Sequence, residues 1–187
     1  VLRRKASPEA EGRFRRSIRA SHMCAHEGLI KIYDSGETQA RAPFLAMEFF
    51  DGETLAQVLE TEGQFSARRA LNLARQVFAG LHAAHSAGVV HRDVKPANIL
   101  LSCDGTIAKL MDFGIAKIQN MAELDAELFR TGTGQGLIGT PMYASPEQAY
   151  VRSVISPAAD LYSMGLVLYE MLTGRIPFET QANAWAY

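Results

Sequence analysis

The chain has 187 residues, 48% of them hydrophobic and 21% charged, and a formal net charge of -1. These values are typical of a globular protein and exclude a strongly basic nucleic-acid-binding domain and a highly charged disordered one. Cys24 and Cys103 stand far apart without other ligands at metal-site spacing, so we expect neither a disulfide nor zinc, and a reducing, cytoplasmic setting. No apolar run reaches the ~18 residues of a membrane helix, and no secretion signal is expected.

The first part of the chain predicts a surface helix, a pair of strands and a short helix. Residues 8–23 are strongly basic, with a thin apolar stripe at helical spacing. Two strand-like runs follow, "LIKIYDSG" (29–36) and "APFLAMEFF" (42–50), and Gly36 with the polar residues after it predicts a turn between antiparallel strands. A short helix is predicted for "TLAQVLETEG" (54–63).

A long helix and a hairpin are predicted next. Ser66 is a favourable N-cap for the helix, and Gly88 is a favourable stop. The predicted buried positions between them are Ala70, Leu71, Ala74, Val77, Phe78, Leu81 and Ala84. Further on, "NILLSCDGTIAKLMDFG" (98–114) predicts two short strands around a turn at Asp104 and Gly105.

The rest of the chain predicts an irregular segment and a central helix. Residues 115–147 show no sustained periodicity, which is typical of a functional or a mobile segment. Ser156, followed by a proline, then starts a nearly uniformly apolar helix that ends at Gly174 and is predicted to be buried. Strands in front and helices behind favour a two-lobed α+β fold.

Four polar residues close together in the sequence form a candidate active site. Asn98 and Asp112 offer an amide and a carboxylate oxygen, which suit Mg²⁺ when a nucleoside triphosphate supplies the other oxygens. Asp93 is a candidate acceptor for the proton of an attacking hydroxyl, and Lys95 a candidate to balance charge on a moving phosphoryl group. The alternative is that the acidic and amide side chains only form turns between short strands.

Four motifs follow one another along the chain: "HRDVKPAN" (91–98), "DFG" (112–114), "GTPMYASPE" (139–147) and "DLYSMGLVLYEMLTGRIPF" (160–178). Together they resemble the eukaryotic-type protein kinase family, and most closely its bacterial serine/threonine members. The resemblance implies a two-lobed kinase fold, with a small lobe over residues 1–50 and a mostly helical large lobe over residues 51–187. It also implies ATP and Mg²⁺ as cofactors, and transfer of the ATP γ-phosphoryl group to Ser or Thr hydroxyls of protein substrates. No nucleic-acid partner is implied.

The resemblance assigns roles to the residues of the candidate site. Asp93 is similar to the catalytic base and Lys95 to the γ-phosphate contact, while Asn98 and Asp112 resemble the magnesium ligands. Lys95 together with Thr140 resembles the serine/threonine pattern rather than the tyrosine one. The resemblance and the chemistry of the residues therefore predict the same site.

The resemblance also implies an adenine site and a structural support for the catalytic loop. Met47 resembles the gatekeeper, and the backbone of Glu48 and Phe50 would hydrogen-bond adenine. Asp160 resembles a buried carboxylate that braces the backbone of the catalytic loop, and His91 belongs to the apolar stack beneath that loop. The alternative for Asp160 is an ordinary first-turn acid that the helix dipole favours.

Regulation is implied by a second set of residues. Arg92 resembles the arginine that pairs with a phosphate in the activation loop, and Thr131 and Thr133 are candidate acceptors that the sequence does not rank. The alternative is that both threonines are ordinary polar loop residues. Autophosphorylation of this loop would use a kinase homodimer. Glu147 resembles an acid that pairs with an Arg of a later segment, and we expect it to lack this partner here.

Two other site patterns are present and are not favoured. His82 and His85 lie one helical turn apart, but no third metal ligand lies in reach. Gly134, Gly136 and Gly139 satisfy G-x-G-x-x-G, yet no strand is predicted before them and prolines follow where a helix should open. We therefore expect neither a metal site on the long helix nor a dinucleotide site.

The chain departs from the kinase pattern near its beginning. The resemblance starts just after the phosphate-binding Lys of the family, so we expect a truncated small lobe without that Lys or the glycine-rich loop, missing last helices of the large lobe, and very weak or no activity of the isolated chain. Ser17 stands where the family has the Glu that pairs with that Lys, and Ser21 where an apolar residue is usual. Because Ser cannot neutralise a Lys, the alternative function is a degenerate kinase that acts as a non-catalytic scaffold. A membrane segment elsewhere in a parent protein is left open.

Overall fold

The structure is a computed structural model that describes residues 25–38, 43–112, 141–149 and 155–178. The predicted basic helix and most of the irregular segment lie outside these residues. The strands are β1 (Ile32–Glu37), β2 (Pro43–Met47), β3 (Gly52–Thr54), β4 (Ile99–Ser102) and β5 (Ala108–Leu110). The α-helices are α1 (Leu55–Glu62), α2 (Ala67–Ser86) and α3 (Pro157–Thr173), and 3₁₀ turns occur at Pro96–Asn98, Pro141–Tyr143 and Pro146–Ala149.

β1 and β2 form an antiparallel two-stranded sheet, which confirms the predicted pair of strands. Gly36 lies inside β1 opposite Phe44, so its predicted place in the turn is wrong. The reason is steric, because a Cβ on Gly36 would stand 2.9 Å from the ring of Phe44. The glycine leaves room for the cross-strand aromatic side chain, and the ladder therefore extends further than the glycine suggests.

A second, three-stranded antiparallel sheet has the strand order β3-β4-β5. Its β4 and β5 form the hairpin that the sequence predicts. β3 has only three residues and carries no strand signal in the sequence. Gly52 is required in it, because a Cβ there would lie 1.9 Å from the carbonyl oxygen of Leu101 on β4. The segment before β1 contacts this sheet through Leu29, which bridges to Leu110 of β5.

The helices α1 and α2 begin at side-chain caps. Thr54 forms a capping box with Gln57 at the start of α1. The Ser66 hydroxyl accepts a hydrogen bond from a backbone amide of the first turn of α2, which confirms the predicted cap. The predicted buried face of α2 is wrong at Leu71, which is 57% exposed, and Leu73 is buried instead. Leu73 lies on the same stripe as the buried alanines, whereas Leu71 is rotated away from it.

Helix α3 has the predicted ends, with Ser156 as its N-cap and Gly174 in the left-handed conformation after its last turn. It packs against α2, and Val167 belongs to the buried core. Leu161 and Tyr169 are about half exposed, so the burial predicted for this helix is confined to one face. The apolar composition alone does not distinguish the two faces.

The hydrophobic core lies between α1, α2, α3 and the three-stranded sheet. Its deeply buried members include Leu55, Val77, Leu81, Ile99, Leu110 and Val167. The segment of residues 89–98, between α2 and β4, is anchored in this core by Val94, which is 1% exposed. Within the described ranges no helix combines the length and the apolarity needed to cross a membrane.

Candidate active site

The backbone of the catalytic loop, defined as residues 89–98, is hydrogen-bonded to the carboxylate of Asp160 in the first turn of α3. Its Oδ2 accepts a hydrogen bond of 2.8 Å from the backbone amide of His91, and its Oδ1 accepts one of 2.7 Å from the amide of Arg92. The residue is 1% exposed. A buried carboxylate that accepts backbone N–H groups forms strong, charge-assisted hydrogen bonds. These are the contacts that the predicted brace requires.

A third donor to the same carboxylate is His85, near the end of α2. Its Nε2 lies 2.7 Å from Oδ2 of Asp160 and donates, because a carboxylate can only accept. The sequence does not predict that these two residues form a pair, since 75 residues separate them. One signal is present, because His85 follows Leu81 by one helical turn on the buried face of α2. A polar side chain on a buried face requires a partner.

His91 links two parts of the site from a fully buried position. Its Nε2 lies 2.9 Å from the carbonyl oxygen of Met111, and its Nδ1 accepts a hydrogen bond of 3.2 Å from the backbone amide of Asp93. Nε2 therefore carries the proton, and the ring is neutral. Burial lowers the pKa of His91, and the nearby negative charge of Asp160 opposes that shift only in part.

Met111 attaches the end of β5 to the catalytic loop through both of its backbone groups. Its carbonyl accepts from His91, and its amide donates to the carbonyl of Asn98 at 2.9 Å. Asp112 is the next residue, so its position relative to the catalytic loop is set by the hydrogen bonds of Met111. Asp112 and Arg92 both have positive φ, at 58° and 67°. Such left-handed backbone is strained for residues other than glycine, and such strain clusters at functional sites.

The side chains of Asp93, Lys95 and Asn98 contact one another. Lys95 Nζ lies 2.9 Å from Asp93 Oδ2. Asn98 Nδ2 donates to the same carboxylate oxygen at 3.0 Å and to the carbonyl of Asp93 at 2.7 Å. The carboxylate is thus oriented by an ammonium and an amide. Because Nδ2 is the atom committed to Asp93, the amide oxygen of Asn98 is the atom it can offer to a metal ion.

The residues fit a magnesium ion whose coordination is completed by phosphate oxygens. Asn98 can provide its amide oxygen, and Asp112 has an exposed carboxylate one residue beyond the point where β5 is bonded to the loop. Both are hard oxygen ligands, which Mg²⁺ prefers.

The predicted adenine site lies where β2 ends. Met47 is the last residue of β2 and is 39% exposed. The amide of Glu48 donates to the carbonyl of Lys31 at 2.8 Å, so only the carbonyl of Glu48 is left to contact a base. The carboxylate of Glu48 pairs with Lys109 on β5, and the ammonium of Lys109 also stands over the ring of Phe50.

The segment of residues 141–149 contacts α3 and the catalytic loop. Tyr143 donates its hydroxyl proton to Glu170 on α3, and burial raises the pKa of both side chains. Glu147 is half-buried and forms no ion pair within the described residues. The predicted regulatory threonines at positions 131, 133 and 140, and Ser17, lie outside the described residues.

Comparison with known proteins decides the family. The family model for the protein kinase domain matches residues 1–186. The chain belongs to the protein kinase family. This kinase chain is 42% identical over 177 residues to the serine/threonine-protein kinase PknA of Mycobacterium tuberculosis. The aligned region covers 92% of this chain and 39% of PknA. The kinase chain is 40% identical over 169 residues to PknB of the same organism, covering 89% of the chain and 26% of that protein.

A solved kinase-like structure confirms the predicted α+β kinase fold. The crystal structure of Rad53 1-466 in complex with AMP-PNP superposes with a TM-score of 0.73 and 26% identity, and the match covers 91% of this kinase chain and 40% of the chain in that structure. The kinase chain thus spans about two fifths or less of these three matched chains.

Proposed function

We propose that the protein containing this chain transfers the γ-phosphoryl group of ATP to Ser or Thr hydroxyls of protein substrates. The observation that carries the proposal is the carboxylate of Asp93, oriented by Lys95 and Asn98 in a loop whose backbone is fixed by Asp160. The names of the relatives, both serine/threonine-protein kinases, support this substrate class.

In this mechanism the chain's own residues position the reacting groups and handle one proton. Asp93 accepts the proton of the attacking hydroxyl as the hydroxyl oxygen bonds to the γ-phosphorus and the bond from that phosphorus to the bridging oxygen breaks, so that ADP leaves. Lys95, beside Asp93, supplies positive charge where the phosphoryl oxygens gather negative charge. Asn98 and Asp112 would hold Mg²⁺, which neutralises phosphate charge when bound.

We further propose the nucleotide site and the setting of the chain. The carbonyl of Glu48 and the backbone of Phe50 would contact adenine beside Met47. The chain would divide near residue 50 into a small and a large lobe and act in the cytoplasm. Arg92 would bind a phosphorylated activation loop, with Thr131 or Thr133 as acceptor and a homodimer as the phosphorylating unit.

The direct test uses the full-length protein with a generic protein substrate. Asp93→Asn keeps the size of the side chain and its contact with Asn98, but it removes the proton acceptor. We expect kcat to fall about 10²- to 10⁴-fold, the usual contribution of a general base. Asp104→Asn, in the exposed β4–β5 turn, is the matched control and should leave kcat unchanged. Equal activity of the Asp93→Asn protein and the control would contradict the proposal.

A second candidate is a degenerate kinase that binds partners without catalysis, and Ser17 in place of an acid is the observation that favours it. Binding of ATP with Mg²⁺, measured as a thermal shift of the full-length protein, separates the two functions. The enzyme should show both a shift and turnover, and Ser17→Glu should then raise the rate. Absence of a shift would favour the scaffold.

A further inference from the structure

We infer that Gln148 is a positioning residue for the catalytic loop. It lies in the 3₁₀ turn Pro146–Ala149, which comes after residues 113–140 in the chain. Its Nε2 donates a hydrogen bond of 2.8 Å to the backbone carbonyl of Arg92, 56 residues earlier in the chain. Asp93, the proposed base, is the residue directly after that carbonyl.

The orientation of the Gln148 amide follows from its other contacts. The backbone amide of Ser145 lies 3.0 Å from Oε1 of Gln148, and the Ser145 hydroxyl lies 3.2 Å from the same atom. A backbone N–H can only donate, so the atom that faces Ser145 is the oxygen. The NH₂ group therefore faces Arg92 and is a donor. Ser145 is fully buried, and its burial keeps the Gln148 amide in this orientation.

The backbone of Arg92 is thus held by two side chains from separate elements. Asp160 on α3 accepts from its amide, and Gln148 donates to its carbonyl. Arg92 needs such support because its φ of 67° is strained for a residue with a side chain. If either contact is lost, this residue can relax to negative φ. That relaxation would rotate the peptide that carries Asp93.

This contact also gives the segment of residues 141–149 a direct influence on Asp93. A shift of that segment moves Gln148 and with it the hydrogen bond to Arg92. The inference that Gln148 holds the loop stands on these contacts alone. The inference that it raises the rate rests on the proposed function of Asp93.

Gln148→Glu is a sharp test because it changes one atom. The glutamate can still accept from Ser145, but it presents an oxygen instead of an NH₂ group to the carbonyl of Arg92. Gln76→Glu is the matched control. Gln76 Nε2 donates to the carbonyl of Thr106 at 2.9 Å, and its Oε1 accepts from the amide of Ala108 at 3.0 Å, so it bridges two backbone groups in the same way at the β4–β5 hairpin.

Hydrogen exchange followed by mass spectrometry on the full-length protein reads the loop directly. We expect the peptide that covers residues 89–95 to exchange about tenfold faster in Gln148→Glu than in the wild type, as for the loss of one hydrogen bond. Gln76→Glu should leave that peptide unchanged. Equal exchange of the loop in both variants would overturn the inference. Should Gln148→Glu fail to fold, Gln148→Met removes the donor without adding charge. Residues 89–95 must then exchange faster in Gln148→Met than in the wild type and in Gln76→Glu.

Kinetics then test the catalytic consequence. We expect Gln148→Glu to lower kcat roughly tenfold or more with little change in the KM for ATP, because the altered peptide carries the base and not the adenine site. Gln76→Glu should keep the wild-type kcat. Faster exchange with an unchanged kcat would overturn the positioning role in catalysis. If the wild-type protein has no activity at all, the proposed function fails, while the exchange comparison still decides whether Gln148 holds the loop.

Discussion

The backbone of the catalytic loop is bonded to side chains that lie far away in the sequence, whereas β1 and β2 bond mainly to each other. Asp160 and Gln148 hold the peptide groups around Arg92, and both come from elements after the long segment that follows Asp112. The β1–β2 sheet is a local ladder with partly exposed side chains, among them Tyr33 at 59% and Phe44 at 40%.

The difference predicts where substitutions are tolerated. The backbone groups that Asp160 and Gln148 hold are buried or partly buried, so removing one partner leaves a group without its hydrogen bond, at a cost of about 1–3 kcal/mol. Side chains of the two-stranded sheet border solvent and can move aside. We therefore expect substitutions at the residues that support the loop to lower the free energy of unfolding more than substitutions in the two-stranded sheet.

The largest effect is expected for Asp160→Asn. The amides of His91 and Arg92 donate to different oxygens of Asp160, and an asparagine has an oxygen at only one of these two places, so its NH₂ group would face the other donor. We expect the free energy of unfolding to fall by about 3 kcal/mol, as for a broken buried charge contact. Urea denaturation of the chain measures this. Asp51→Asn, at an exposed position, is the control, and an equal effect of the two would contradict the assigned support.

A smaller loss is expected for His85→Ala. The substitution removes one of three donors to Asp160 and leaves the two backbone amides in place. We expect a loss of about 1–2 kcal/mol, measured by urea denaturation. His82→Ala removes an exposed histidine from the same helix and should change stability little. If both variants lose equally, helix propensity and not the contact with Asp160 explains the result.

The pH dependence of stability tests the buried histidine of the loop. Burial lowers the pKa of His91, so between its folded value and the ordinary value of 6.5 the unfolded chain binds a proton that the folded chain does not. The contribution of His91 is therefore complete above pH 6.5 and is lost as the pH falls below it. Urea denaturation at a series of pH values measures the slope, and NMR titration measures the ring directly. A His91 pKa at or above the ordinary value would contradict the neutral, buried state.

The sequence predicts the helix starts, the β4–β5 hairpin and the place of Asp160 better than it predicts the contacts of Gln148 and His85 with the loop and its support. Ser66 and Ser156 mark helix starts because capping is a local effect, and the β4–β5 hairpin follows from its own turn. The contact of Gln148 with Arg92 has no local signal, and the place of His85 on the buried face of α2 shows only that it needs a partner, not that the partner is Asp160. Each contact joins residues more than 50 positions apart. Such contacts depend on how α2, α3 and the 3₁₀ turn Pro146–Ala149 pack together.

The smallest effect is expected for Gly36→Ala in the β1–β2 sheet. The added Cβ would meet the ring of Phe44 at 2.9 Å, but this ring is 40% exposed and can turn toward solvent. Alanine also loses less backbone entropy than glycine in a strand, by roughly 0.5–1 kcal/mol, which offsets the contact. We expect a net change under about 1 kcal/mol in urea denaturation. Gly52→Ala is the matched comparison, because its Cβ would meet the backbone of Leu101, which cannot move aside without opening the β3–β4 ladder. Equal losses for the two glycines would show that the two-stranded sheet is packed as rigidly as the sheet beside the catalytic loop.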